Sequence, residues 1–185
     1  MVCSRCSAPI SPLVRGDSRY CSSRCRLAAH RALPARELRD RARWIRRSAT
    51  KVPLTTDGTA ASSTDPSTWC DYDTAAASTV GAGLGFVLNG DGIVCVDLDH
   101  CLDGRGRPQP WVIDLLESMP ETYVEVSPSG DGLHVWGFGS IGKGRRTGGI
   151  EVYGRGRYLT ITGKRWRHSV ASFANLDEWI DTLPI

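Results

Sequence analysis

Two aspartates, Asp97 and Asp99, close the apolar run Gly92-Ile-Val-Cys-Val-Asp-Leu-Asp-His100. Side chains alternate along a strand, so carboxylates two apart leave it on the same side. Such a pair needs a cation. Hard divalent ions such as Mg²⁺ or Mn²⁺ prefer oxygen ligands, take one or two carboxylates from a protein and keep positions open for water and phosphate. Phosphate chemistry is the first expectation. A second set of ligands lies near the start, as Cys3-x2-Cys6-x14-Cys21-x3-Cys25. Two close pairs of thiolates suit a structural tetrahedral Zn²⁺. Disulfides are the alternative chemistry, but Met1-Val-Cys-Ser-Arg-Cys6 carries no export signal, and the expected compartment is a reducing cytoplasm. His30 is a further candidate ligand, although four cysteines suffice and leave it a surface or phosphate-facing role.

More chemistry follows downstream. Ser127-Pro-Ser-Gly-Asp-Gly-Leu-His134 leads into Val135-Trp136, and Gly149-Ile-Glu-Val-Tyr153 supplies a third carboxylate, Glu151. Glu125 is its rival, since its period-two neighbours are Tyr123 and Ser127. Glycines at Gly130 and Gly132 would let backbone N–H groups approach phosphate oxygens. Lys143, Arg145, Arg146, Arg155 and Arg157 are candidates for triphosphate or template-backbone contacts.

A D-x-D strand, a small-residue turn ending in a His-bearing strand and a later acidic strand, in that order, resemble the archaeo-eukaryotic primases. The likeness is nearest to the compact primase-polymerase domains of phages and plasmids. Lys51 before Val-Pro, Ser62-Ser-Thr-Asp-Pro-Ser-Thr-Trp69 and Gly156-Arg-Tyr-Leu-Thr-Ile-Thr-Gly163 extend it from about Trp44 to Gly163. The resemblance implies an RRM-like core and template-dependent nucleotidyl transfer by two metal ions held by Asp97, Asp99 and Glu151. It also implies His134 against the incoming triphosphate, with Ser127, Ser129, Lys143 and Arg157 as further nucleotide contacts. Single-stranded DNA template and nucleoside triphosphates are the implied partners. No P-loop is complete, so a helicase would be a separate protein. Two other readings stand beside this one. In the first, the zinc segment and the basic helix serve a non-catalytic DNA-binding accessory of replication. In the second, Asp97-Leu-Asp-His-Cys-Leu102 resembles the opening motif of haloacid-dehalogenase phosphatases, which would demand a Rossmann-like parallel sheet.

The elements that must place these residues are expected as follows. Residues 1–32 form a zinc-binding module whose few apolar residues leave most of the folding energy to the metal. Residues 33–50 form a basic helical linker, within a helix running from Leu27 to Arg47 and interrupted near Pro34. Arg36, Arg39, Arg43 and Arg46 then recur at three- and four-residue steps and make a DNA-binding stripe. Residues 51–185 form the catalytic domain, with Thr55 to Ser67 an exposed loop. Strands are expected at 85–88, 93–99, 122–126, 133–138, 150–153 and 158–162, and helices at 110–119 and 176–182. Asn89-Gly-Asp-Gly92 reads as a tight hairpin between the first two strands. The sum is an α+β fold with a largely antiparallel sheet.

The whole chain fits this scale. Its 185 residues allow one domain and a small appendage, 41% hydrophobic content is ample for a core, and no apolar run suits a bilayer. Net charge is +3, concentrated between Arg24 and Arg47.

Overall fold

Residues along the strand from Ile93 to Leu98 alternate between two apolar environments. Val94, Val96 and Leu98 join one buried cluster, while Ile93 and Cys95 join another. A strand that is buried on both faces ends in an acid, and this sets up the site. The structure is a computed structural model that describes residues 1–185 except Ser4, Val14, Ala32, Arg167 and His168, with the backbone alone for 28–31. The chain divides into two compact units, Met1–Leu33 and Pro34–Ile185.

The first unit contains helix α1 (Ser23–Arg31), preceded by turns that carry three of its four cysteines. Met1, Val2, Leu13 and Leu27 are exposed, so little apolar surface is available to hold it together.

The second unit runs α2 (Arg36–Arg39), β1 (Trp44–Arg47), β2 (Pro53–Leu54), a 3-10 turn (Pro66–Thr68), α3 (Tyr72–Ala77), β3 (Gly83–Asn89), β4 (Ile93–Leu98), α4 (Pro110–Ser118), β5 (Tyr123–Val126), β6 (Leu133–Phe138), β7 (Arg145–Thr147), β8 (Ile150–Tyr153), β9 (Arg155–Ile161) and α5 (Asp177–Thr182). It forms two sheets, ordered β2-β1-β3-β9 and β5-β6-β4-β8-β7, and every pairing between these strands is antiparallel. The α+β, antiparallel expectation holds. One core lies under α4 and α5, where Val112, Trp179 and Ile180 meet Val94, Val96, Val135 and Val152. The other joins residues of both sheets through edge-to-face aromatics, with Trp44–Phe86 centroids 5.3 Å apart and Phe86–Trp136 6.0 Å.

Two expectations about local structure are corrected. First, there is no continuous helix from Leu27 to Arg47. α1 ends at Arg31, α2 lasts four residues, and Trp44–Arg47 is a strand paired with β3 and β2. The Ala, Leu and Arg content favours helix locally, but Trp44 and Ile45 are fully buried in strand pairing and packing, and Trp44 Nε1 donates to Leu38 O at 3.1 Å. Residues 34–50 fall within the second unit. Second, β3 and β4 are not a hairpin. They belong to different sheets, and Asn89-Gly-Asp-Gly92 carries the chain between them, with Gly90 and Gly92 at positive φ and Asp91 held by Arg43 at 2.9 Å.

Candidate active site

The acid at the end of β4 is the middle of a row that crosses the whole five-stranded sheet. Asp97 is paired directly with His134 of β6 on one side and Glu151 of β8 on the other. His134 is in turn opposite Glu125 of β5, and Glu151 is opposite Arg146 of β7. Five ionisable residues from five strands thus share one register line, where directly opposed side chains are near neighbours. Asp99, just beyond β4, joins the row, and oxygens of Asp97, Asp99 and Glu151 all lie within 4.8 Å of one another.

Two glycines permit this crowding. A Cβ at Gly132 would sit 2.8 Å from Leu98 O, and one at Gly149 would sit 2.9 Å from Asp99 O, so neither flanking strand could approach the acidic end of β4 with a side chain there.

Glu125 is fully buried and resolves its own rivalry with Glu151. It accepts hydrogen bonds from His134 Nδ1 at 3.2 Å, Tyr123 Oη at 3.2 Å, Thr162 N at 3.2 Å and Gly163 N at 2.9 Å. A carboxylate so fully engaged is no metal ligand, and it lies outside the acid cluster. Its effect is to fix the imidazole with Nε2 toward Asp97 Oδ1, 3.7 Å away. Burial by itself would lower the pKa of His134, but the hydrogen bond and charge of Glu125 and the charge of Asp97 outweigh it and raise it. Burial raises the pKa of Asp97, against the pull of His134 and with the push of Asp99 and Glu151.

A cavity of about 240 Å³ opens over the row. Asp97, His134 and Glu151 line one wall, while Arg157, Tyr158, Leu159 and Thr160 of β9 bring residues of the other sheet. Lys51 also faces it, from a loop residue at φ +62° whose carbonyl accepts the Tyr158 hydroxyl. The Arg157 guanidinium stands 5.0 Å over the Tyr153 ring. Among the described residues no ion pair is formed by Lys51 or Arg157, so two cations face the cavity with their charge uncommitted.

The residues fit a divalent cation. Asp97 Oδ1 is buried with no hydrogen-bond partner, and an orphaned anionic oxygen beside two more carboxylates is what a hard cation satisfies. Glu151 is already braced, by Arg146 Nε at 2.7 Å and by the Tyr153 hydroxyl. The cysteines fit zinc equally well. The Sγ atoms of Cys6, Cys21 and Cys25 are 3.6–3.7 Å apart and Cys3 lies within 4.8 Å. Tetrahedral Zn–S bonds of about 2.3 Å imply separations of about 3.8 Å. All are free thiols, so the disulfide alternative falls. The side chain of His30 lies outside the described residues.

Other expected residues fall outside the cavity lining. Ser127 Oγ accepts from Gly132 N at 3.1 Å and meets Ser129 Oγ at 2.8 Å, and Ser129 donates to Asp131. These hydroxyls hold their own turn, and Pro128 between them lines the cavity instead. Lys143 is exposed away from it. The helical arginine stripe does not exist: Arg36 and Arg39 are on α2, whereas Arg43 and Arg46 are buried in the β1 region. Arg43 stacks 4.6 Å from the Phe86 centroid and pairs with Asp91, and Arg46 donates to Val80 O at 2.6 Å and Ala75 O at 3.3 Å. Burial spends both on the fold and lowers the pKa of each. Sequence reasoning missed Tyr153, Tyr158 and the orienting role of Glu125. Tyr153 was within reach of the period-two rule from Glu151, but nothing local ties Tyr158 to this cavity.

The match to a protein-family model decides the assignment. Residues 5–184 match the family described as bifunctional DNA primase/polymerase, N-terminal. This chain belongs to that family. Over 134 residues it is 45% identical to the DNA Primase-polymerase of Nitratiruptor phage NrS-1, covering 65% of this chain and 18% of that protein. The chain therefore spans less than a fifth of that relative's length. The phosphatase reading fails on topology, because β4 is flanked by antiparallel strands where a Rossmann-like sheet would be parallel. Among the described residues no helix is long and apolar enough to cross a membrane.

Proposed function

We propose that this chain performs template-dependent nucleotidyl transfer, joining nucleotides from nucleoside triphosphates on a single-stranded DNA template. The observation that carries the reading is the cross-strand row, which presents Asp97 and Glu151, with Asp99 beside them, to a cavity that Lys51 and Arg157 also line. Mg²⁺ or Mn²⁺ held by the three acids would supply Lewis-acid stabilisation of charge on the α-phosphate.

The protein's own residues divide the rest of the task. Lys51 and Arg157, which line the same cavity, neutralise the triphosphate. His134 offers Nε2 to a phosphate oxygen, and Glu125 holds the ring so that this nitrogen is presented without reorganisation. Tyr153 buttresses Glu151 through its hydroxyl while its ring face supports Arg157, so one side chain sets both an acid and a cation. The four cysteines take a structural zinc. A helicase, in the same protein or in a partner, would open duplex template, and a phage or plasmid replication setting accords with the relative's name.

The test is incorporation of labelled nucleotide on single-stranded DNA with Mg²⁺ or Mn²⁺, comparing the wild type with Asp97→Asn. Metal-dependent incorporation that the variant loses is expected. No incorporation by the wild type under any divalent ion would leave the accessory DNA-binding reading in its place.

A further inference from the structure

The segment Ser62–Trp69 has no part in the catalytic cavity, yet it forms a second one. A cavity of about 360 Å³ is bounded by Ser63, Pro66 and Trp69 on one side and by Asn89, Arg155 and Gly156 on the other. That volume suits a small ligand. The loop is built to hold this shape. Trp69 Nε1 donates to Ser62 O at 2.6 Å, Asp65 caps the 3-10 turn through Ser67 N at 3.0 Å, and Ser63 Oγ ties the loop to Gly156 O at 3.1 Å.

Its chemistry is directional. Arg43 has donors and no acceptors, so the atom of Asn89 it faces must be Oδ1, which leaves the Asn89 Nδ2 donors for a ligand. Arg155 is exposed and has no ion-pair partner among the described residues. The nearby acids are engaged, Asp91 by Arg43 and Arg41 and Asp65 by its own turn. An uncommitted guanidinium and an amide donor facing an anion, opposite an indole and a proline ring, match a nucleotide: phosphate on one side and base on the other.

Position adds the connection. Arg155 and Gly156 line this cavity, whereas Arg157 and Tyr158 line the catalytic one. Gly156 has φ +68° at the point where β9 shifts register against β3, between Asn89↔Arg155 and Leu88↔Arg157. Residues 155 and 157 are about 7 Å apart at strand spacing, a gap that one or two nucleotides of an extended strand bridge.

We infer that the Trp69/Arg155 cavity is a second nucleotide subsite, which takes one nucleotide of the single strand whose neighbour lies at the catalytic cavity. Only the choice of a polymer over a free nucleotide rests on the proposed function; the phosphate-and-base chemistry stands without it.

The test uses the full chain with its zinc and no added Mg²⁺ or Mn²⁺, so binding is read without incorporation. Fluorescent oligothymidylate is titrated across a salt series against wild type and Arg155→Ala, and an oligonucleotide carrying 5-iodouracil is photocrosslinked and mapped by mass spectrometry. Loss of one charged phosphate contact should weaken binding about ten-fold and reduce the log–log salt slope by about 0.7. The crosslink should fall on the peptide containing Trp69, and unlabelled oligonucleotide should compete it away better than ATP or thymidine monophosphate. An unchanged slope together with crosslinks confined to Tyr153 or Tyr158 peptides would overturn the subsite. Competition by free nucleotide equal to that of oligonucleotide would overturn the assignment to a strand. A chain that crosslinks at Trp69 but never incorporates nucleotide keeps this subsite and loses the polymerase reading.

Discussion

The two candidate metal clusters are built on opposite plans. The cysteines come from 23 consecutive residues, Cys3 to Cys25, sit on turns and one helix start, and have almost no core beneath them. The acids come from β4, the turn just beyond it and β8, 54 residues apart from Asp97 to Glu151, and rest on two packed cores. In the first region a bound ion would supply the structure. In the second the structure holds three carboxylates together before any ion arrives, at the cost of mutual repulsion. A metal removed from the first should unfold it, and a metal removed from the second should leave its fold intact.

The sharpest test of that contrast is Cys21→Ser with Cys25→Ser. Structural zinc contributes about 10–16 kcal/mol in small sites, so we expect elemental analysis to lose one Zn²⁺ per chain and residues 1–33 to become protease-sensitive. The 34–185 unit should keep its thermal transition, and a parallel collapse of both units would erase the distinction.

Asp97→Asn should do the reverse, lowering incorporation by at least about 10²–10³-fold while the thermal midpoint of the second unit stays level or rises, because a charge leaves a crowded anionic cluster. A midpoint lowered as far as by a core deletion would mean that the acids are structural after all.

Glu125→Gln separates holding from reacting within the acid row. An outer partner of this kind is worth about 10–100-fold in activity. We expect the loss in kcat more than in KM for nucleotide, with His134 still present but its ring free to turn, a change visible in its imidazole NMR signals. Unaltered imidazole signals with full activity would remove Glu125 from the site.

The smallest effects concern the arginines. Arg36→Gln with Arg39→Gln should weaken single-strand binding a few-fold and change stability by about 0.5 kcal/mol or less, as surface substitutions do. Arg43→Gln should lower the thermal midpoint instead, since it strips a buried partner from Asn89 and Asp91. Equal stability of the two variants would return Arg43 to the surface.

These differences also explain what could be read in advance. The clustering of the four cysteines was legible because its geometry is local, and a spacing is all it takes. Asp97, Asp99, His134 and Glu151 were legible as residue types in order, and the strands that bear them were placed within a few residues. Their register was not, because which residue of β6 or β8 falls opposite Asp97 depends on pairing between distant segments. For the same reason Glu125 looked like a ligand when its partners at Thr162 and Gly163 lay 37 and 38 residues on. The arginines misled because helix propensity is a local quantity, whereas Trp44 and Ile45 answer to β3, about forty residues further along.

The row also bears on how faithfully this chain folds. Along β4 the acid follows four uncharged pairs, so a one-residue slip would turn Asp97 away from His134 and into the layer where Val112 and Trp179 pack. An ionised carboxylate there would have no partner, and the displaced valine would face the acids of β8 and β5. A two-residue slip keeps the face but sets Cys95 or Asp99 against the histidine. Near-native misfolds of the sheet therefore carry an electrostatic penalty that a purely apolar strand would not impose, and the residues proposed for phosphate chemistry in the finished molecule act earlier as a check on alignment during its assembly.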